Sequence, residues 1–119
     1  MAKILLAEDE EFISRMINLR LTLKGHEVDH AKNGQEAVDK ALTGKYDLIL
    51  MDMHMPVMDG HEATHTLREK GYQGLIVAVT ASVMSADSEK AIKSGCDEYI
   101  AKPIGADFEE RLESLLSQK

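Results

Sequence analysis

Glu8, Asp9, Asp52, Thr80 and Lys102 are the residues of this chain whose types and placement allow concerted chemistry. Each stands at or just past the end of an apolar run. Ile4 to Ala7 precedes Glu8-Asp9, Leu48 to Met51 precedes Asp52, Gly74 to Val79 precedes Thr80, and the weaker run Glu98 to Ala101 precedes Lys102. Carboxylates suit a hard cation. A sparse set that leaves room for retained waters and phosphoryl oxygens suits Mg2+ better than Ca2+, for which no binding loop is present. Acids gathered at one rim repel one another, a penalty that a bound cation relieves. Lys102 is a flexible point charge fit to pair with Asp52 and then with a phosphoryl oxygen. Such a set describes a magnesium-dependent phosphoacceptor with Asp52 as the acceptor. The simpler alternatives are that Glu8 to Glu11 form a solvated helix start and that Thr80 is a turn or cap residue.

These side chains meet only if the strand ends converge, and the pattern around them supplies that arrangement. Acids at Glu8 to Glu11 favour a helix start, followed by a stripe of Phe12, Met16, Leu19 and Leu23 with Ile13 and Ile17 beside it, up to Gly25. Glu27 to Ala31 reads as a short second strand. Asn33-Gly34 opens a helix that buries Ala37, Val38, Ala41 and Leu42 and stops at Gly44. After Asp52, Pro56 and Asp59-Gly60 force a loop, and a helix to Glu69 buries Ala63 and Leu67. A fourth helix over Met84 to Ser94 turns Ala91 and Ile92 inward and Ser85, Ala86 and Ser88 outward. The last helix carries Phe108, Leu112, Leu115 and Leu116 on its core face. Strands alternating with helices over short connections predict a doubly wound α/β sandwich of three layers, a parallel sheet with helices on both faces. In such sheets the site lies outside the carboxyl ends of the strands, where all five chemical residues fall.

Composition narrows the function classes. At 119 residues, 44% hydrophobic and 29% charged, residues 1–119 are expected to form one globular domain. A formal net charge of -7 argues against nucleic acid as a partner, because the phosphate backbone repels it. No apolar run approaches the roughly 20 residues of a spanning helix, and Met1-Ala2-Lys3 leads straight into a strand, so neither membrane insertion nor a secretion signal is expected. The single cysteine, Cys96, excludes an internal disulfide and reads as a small packing residue in a reducing, cytoplasmic setting. The small polar outer face of the fourth helix predicts a monomer that meets partners transiently.

His61-Glu62-Ala63-Thr64-His65 matches the H-E-x-x-H zinc pattern. A zinc site also needs a third protein ligand and a cleft, and this match opens a short amphipathic helix whose inward residues are Ala63 and Leu67. Two imidazoles beside a solvated face are expected instead, and His26 and His30 read as surface residues. Tyr99, near the last strand's end, is expected to be half-buried beside the fourth helix.

The constellation closely resembles the receiver domain of bacterial two-component response regulators, over essentially the whole chain. Its marks are Glu8-Asp9, Leu50-Met51-Asp52, Met55-Pro56-Val57-Met58-Asp59-Gly60, Thr80-Ala81, and Lys102-Pro103 with Tyr99 three residues earlier. The resemblance implies a flavodoxin-like (βα)5 fold of the chemotaxis-regulator type, with sheet order 2-1-3-4-5. It implies that a histidine kinase or histidine phosphotransfer protein donates a phosphoryl group to Asp52. It further implies Mg2+ held by Asp9, Asp52 and the main-chain carbonyl of His54, with Glu8, in a place often held by Asp, reaching through water. Lys102 and Thr80 would each take a phosphoryl oxygen, and the shift of Thr80 would let Tyr99 turn in. The face of the fourth helix, fifth strand and fifth helix would then change its affinity for an output protein. His54 and Ser82 fall at positions that tune dephosphorylation, and the bond before Pro103 is expected to be cis, against a general rate of about 5%. The domain implied is a switch that assists its own phosphorylation and dephosphorylation rather than a turnover enzyme.

The Met55 to Thr64 and Gly95 to Ile104 runs also resemble receivers fused to hybrid sensor kinases. A start just before the first strand and an end just after the fifth helix favour a stand-alone protein. A docking module of the same fold that works without phosphorylation is the reading from a different class.

Overall fold

The computed structural model describes residues 2–80, 85–102 and 104–118. Expectations placed on Ala81, Ser82, Met84 and the bond before Pro103, and on the side chains of Ser85, Ala86 and Ser88, fall outside the described residues. Strands β1 (Lys3–Ala7), β2 (Glu27–Ala31), β3 (Leu48–Asp52), β4 (Leu75–Thr80) and β5 (Glu98–Ala101) alternate with helices α1 (Glu11–Leu23), α2 (Gly34–Thr43), α3 (Gly60–Glu69), α4 (Ser85–Ser94) and α5 (Phe108–Ser117). The strands form one sheet in the order β2-β1-β3-β4-β5, with every neighbouring pair parallel. This is the flavodoxin-like order that the sequence led us to expect.

Alternation along the central strands sorts the core into two halves. Leu5, Ala7, Ile49, Met51, Ile76 and Ala78 pack with Ala37, Val38, Ala41, Ala63, Leu67 and Ala91. Ile4, Leu6, Leu48, Leu50, Val77 and Val79 pack with Ile17, Leu21, Phe108 and Leu112. Thus α2, α3 and α4 cover one face and α1 and α5 the other, which is why β3 and β4 read as unbroken apolar runs.

Strands β3 and β4 each extend one residue beyond the apolar run. Asp52 pairs with Val79 and Thr80 with Ala101. The ladder bonds that continue past them, Met53 N–H to the Val79 carbonyl (3.1 Å) and Lys102 N–H to the Thr80 carbonyl (2.8 Å), hold both residues in the sheet. The starts of α2 and α3 follow the chemistry of their caps: the side chain of Asn33 accepts the Glu36 N–H at 2.9 Å and that of Asp59 accepts the Glu62 N–H at 2.8 Å.

Some expected core positions face solvent. In α1, Phe12 is 74%, Leu19 61% and Leu23 76% exposed, while Ile17 and Leu21 are fully buried. The inward stripe runs through Ser14, Ile17 and Leu21, so α1 is rotated from its expected phase. A buried serine disguises that stripe; its hydroxyl is satisfied by the Glu11 carbonyl at 2.9 Å. Leu42 and Ile92 are exposed as well, at the edge of their helices' inward faces. His26, expected at the surface, is buried, because its Nδ1 accepts the Ala2 N–H at 3.0 Å and ties down the start of β1. Cys96 is buried as expected, and that burial pushes its thiol up to about 11, out of the reactive range. No helix of the described residues is long and apolar enough to cross a membrane.

Candidate functional site at the carboxyl end of the sheet

The carboxyl ends of β1, β3, β4 and β5 bring Glu8, Asp52, Thr80 and Lys102 together, and Asp9 joins them from the segment after β1. Asp52 is only 3% exposed and Glu8 only 1%. Buried carboxylates persist when paired and hydrogen-bonded, and both are. Asp52 Oδ1 accepts the His54 N–H at 3.1 Å, and its Oδ2 lies 3.3 Å from Lys102 Nζ. Glu8 Oε1 lies 3.0 Å from the same ammonium, and its Oε2 accepts the Glu10 N–H at 3.2 Å.

Electrostatics reflect the crowding. Burial, then the hydrogen bond and charge of Asp52, push the Glu8 carboxyl up to about 7, with Lys102 pulling part of the way back. For Lys102, burial is the largest single influence and pulls its ammonium down. The Glu8 and Asp52 carboxylates outweigh it together and hold the group above its ordinary value. Among the described residues, Glu8, Asp9 and Asp52 form the group able to hold a metal ion, with one ligand oxygen from each lying within 4.8 Å of the others. Two of them are buried and Asp9 is exposed, so the acidic cluster opens to solvent on one side.

Local backbone geometry presents Asp52. Gly60 donates its N–H to the Met53 carbonyl at 3.2 Å, and a Cβ on Gly60 would overlap the Asp52 carbonyl. A side chain at the start of α3 would therefore displace the strand end that carries Asp52. Between them, Met58 N–H reaches the Pro56 carbonyl at 2.7 Å around Val57, whose φ is 69°. This is a three-residue turn with a β-branched residue in the left-handed region, a strain of about 1–3 kcal/mol of the kind found near functional sites.

Thr80 is buried at the end of β4, and its carbonyl anchors the Lys102 backbone. The His54 side chain is exposed. Tyr99 is half-buried against the α2–α3–α4 half of the core and pairs with Ala78 across the ladder. The H-E-x-x-H imidazoles diverge to separate partners: His61 Nδ1 meets Ser94 Oγ at 3.2 Å, whereas His65 Nε2 meets Glu69 at 3.4 Å. Sequence reading missed His30. It is half-buried, and its Nε2–H donates to the Glu8 carbonyl at 2.7 Å, bracing the acidic turn from β2. It had been expected at the surface, and its place near the carboxyl end of β2 did not by itself reveal a carbonyl partner.

A parallel sheet in this order, carrying carboxylates and a paired lysine at its carboxyl end, is the arrangement of a receiver-type α/β domain. Residues 4–114 match the response regulator receiver domain, and the chain belongs to that family of two-component signalling domains. It is 44% identical over 110 residues to the two-component response regulator ORR41 of Oryza sativa subsp. japonica, covering 87% of this chain and 85% of that protein. It is 41% identical over 111 residues to hybrid signal transduction histidine kinase I of Dictyostelium discoideum, covering 86% of this chain but 6% of the kinase. It also matches the transcriptional regulatory proteins ResD of Bacillus subtilis and PcoR of Escherichia coli and the response regulator ArlR of Staphylococcus aureus, and spans about half or less of each. Among solved structures, response regulator TrrA of Thermotoga maritima, in complex with Mg2+-BeF, superposes with a TM-score of 0.85 at 32% identity, over 97% of this chain and 99% of that one. The receiver domain of Saccharomyces cerevisiae Ssk1, solved with the histidine phosphotransfer protein Ypd1, gives 0.85 at 31% identity, over 98% and 86% of the two chains.

Proposed function

We propose that this receiver domain accepts a phosphoryl group on Asp52 from the phosphohistidine of a histidine kinase or histidine phosphotransfer protein. The observation that carries the reading is the buried Asp52 carboxylate, shared between the His54 N–H and the Lys102 ammonium, inside a cluster of three acids. An Asp52 oxygen attacks phosphorus in line; the O–P bond forms as the P–N bond breaks, and the leaving imidazole nitrogen keeps the electron pair and takes a proton from solvent. Lys102, already within 3.3 Å of Asp52, balances the charge that gathers on the phosphoryl oxygens. Glu8, Asp9 and Asp52, with the main-chain carbonyl of His54, would hold Mg2+, which supplies further charge neutralisation at the phosphoryl group. The TrrA complex with Mg2+-BeF and the Ssk1 complex with Ypd1 support the metal and the donor class.

Acceptance adds charge and strong acceptor oxygens beside Thr80, and Tyr99 responds on β5, changing how the α4–β5–α5 face meets an output protein. Exposed His54, two residues from the acceptor, tunes access of the water that removes the group, as does Ser82. The domain in this reading is a monomeric, cytoplasmic switch comprising residues 1–119. It assists its own phosphorylation and hydrolysis and is not a turnover enzyme. Its setting is a stand-alone regulator or a hybrid kinase.

Incubation with Mg2+ and acetyl phosphate, followed by intact-mass measurement, tests this reading. One phosphoryl group is expected on the wild type and none on Asp52→Asn or without Mg2+. A mass gain that persists in Asp52→Asn would remove the acceptor assignment, and no gain in any sample would favour the docking module that works without phosphorylation.

A further inference from the structure

Lys102 sits at the start of the connection from β5 to α5, with its ammonium held between Glu8 and Asp52. Upstream the path is fixed by the Lys102 N–H bond to the Thr80 carbonyl at 2.8 Å. Downstream, Ile104 packs partly buried against the α1–α5 half of the core, and the polar restraints among the described residues of the connection are few. The cap residue of α5, Asp107, makes no side-chain capping bond, and the Phe108 N–H reaches the Gly105 carbonyl only at 3.4 Å.

Another element, α1, adds a polar restraint. Arg20, in the last turn of α1, donates from Nη2 to the Gly105 carbonyl at 2.7 Å. Its Nε donates to Glu109 Oε2 at 2.8 Å, and Nη2 also pairs with Glu109 Oε1. The guanidinium lies 5.4 Å from the centre of the Phe108 ring, itself wholly buried in the α1–α5 half of the core. A planar fork of donors suits this task, because it grips a carboxylate and a carbonyl together where an ammonium holds one point. The pair is mostly shielded, with Arg20 and Glu109 side chains 23% and 16% exposed.

We infer that Arg20 is a positioning residue for phosphoryl acceptance at Asp52: by holding Gly105 it keeps the Lys102 ammonium over Glu8 and Asp52. Arg20 touches no reacting atom, and the inference rests on the function proposed above. The competing role is simple fastening of α1 to α5, and the two bonds of Arg20 separate them. Glu109→Gln weakens the fastening but leaves the Gly105 contact, whereas Arg20→Ala removes both.

The test measures initial rates of acetyl phosphate labelling at saturating Mg2+, Mg2+ dissociation constants and melting curves, at a temperature where the proteins are folded. Arg20→Ala is expected to slow labelling about tenfold while its Mg2+ dissociation constant stays within about twofold, because misplacing one catalytic group costs rate without removing a metal ligand. Glu109→Gln is expected to label within about twofold of wild type despite a lower melting temperature. Should Arg20→Ala fail to fold, Arg20→Lys decides: slowing of about threefold or more supports the inference and a wild-type rate overturns it. A normal wild type combined with an unslowed Arg20→Ala, or with Glu109→Gln slowed equally, overturns the inference alone. A wild type that takes no phosphoryl group overturns the proposed function and this inference with it.

Discussion

Gly60 shows how one missing side chain shapes the site. Its amide closes onto the Met53 carbonyl, and a Cβ there would collide with the Asp52 carbonyl and the Met53 backbone, which cannot swing aside as a flexible side chain can. Gly60→Ala is therefore expected to cost about 2–3 kcal/mol in urea denaturation, as over-packing against backbone does. It should also slow labelling of Asp52 by shifting the strand end. A stability change of less than about 0.5 kcal/mol would mean that α3 can move away freely, and the tight junction would lose its proposed purpose. At this scale the meeting of the acids and the lysine at one rim was readable from residue type and placement. Glu8, Asp9, Asp52 and Lys102 declare themselves because charged groups directly after apolar runs have few structural reasons to be there. Arg20 and His30 were not readable, since their roles lie in bonds to the carbonyls of Gly105 and Glu8, and a main-chain carbonyl leaves no mark in a sequence.

At the scale of elements, α1 is the instructive case. Two apolar stripes lie side by side in it: the expected one through Phe12, Met16, Leu19 and Leu23, of which Met16 alone packs against the core, and one through Ile13, Ile17 and Leu21, all of which do. What selects between them is the surface opposite, the β1–β3 face and α5, which sequence periodicity cannot see. Leu21→Ala is expected to destabilise the domain by about 2–4 kcal/mol, because it empties a fully buried position. Leu19→Ala is expected to change stability by less than about 0.5 kcal/mol. Paired denaturant melts check both, and equal losses would return α1 to its expected phase. Elsewhere the elements were legible nearly to the residue. β2 and β5 were marked by their flanking turns, and α2 and α3 opened at Asn33-Gly34 and Asp59-Gly60, where side-chain caps form. β3 and β4 ran one residue further than their apolar stretches, because ladder bonds do not stop where hydrophobicity does.

The whole molecule carries a conflict between folding and its proposed chemistry. Three carboxyl groups converge on one rim, and among the described residues a single ammonium, Lys102, opposes the two buried ones. The upward push on the Glu8 carboxyl, from burial and from Asp52, records this crowding. A cation bound by the folded state alone stabilises it by mass action, about 2.7 kcal/mol at a free concentration one hundred times the dissociation constant. For a domain of this size that is a rise of several degrees in melting temperature. The expected pattern therefore has two parts. In EDTA, Asp9→Asn melts higher than wild type, because removing one charge lowers the repulsion. In excess Mg2+, wild type gains several degrees while Asp9→Asn gains little, because the substitution takes away a ligand. Melting curves of both proteins in EDTA and in Mg2+ measure all four values. A wild type indifferent to Mg2+, or an Asp9→Asn protein that is less stable in EDTA yet gains fully from the metal, would show that these acids are held apart well enough to need no cation.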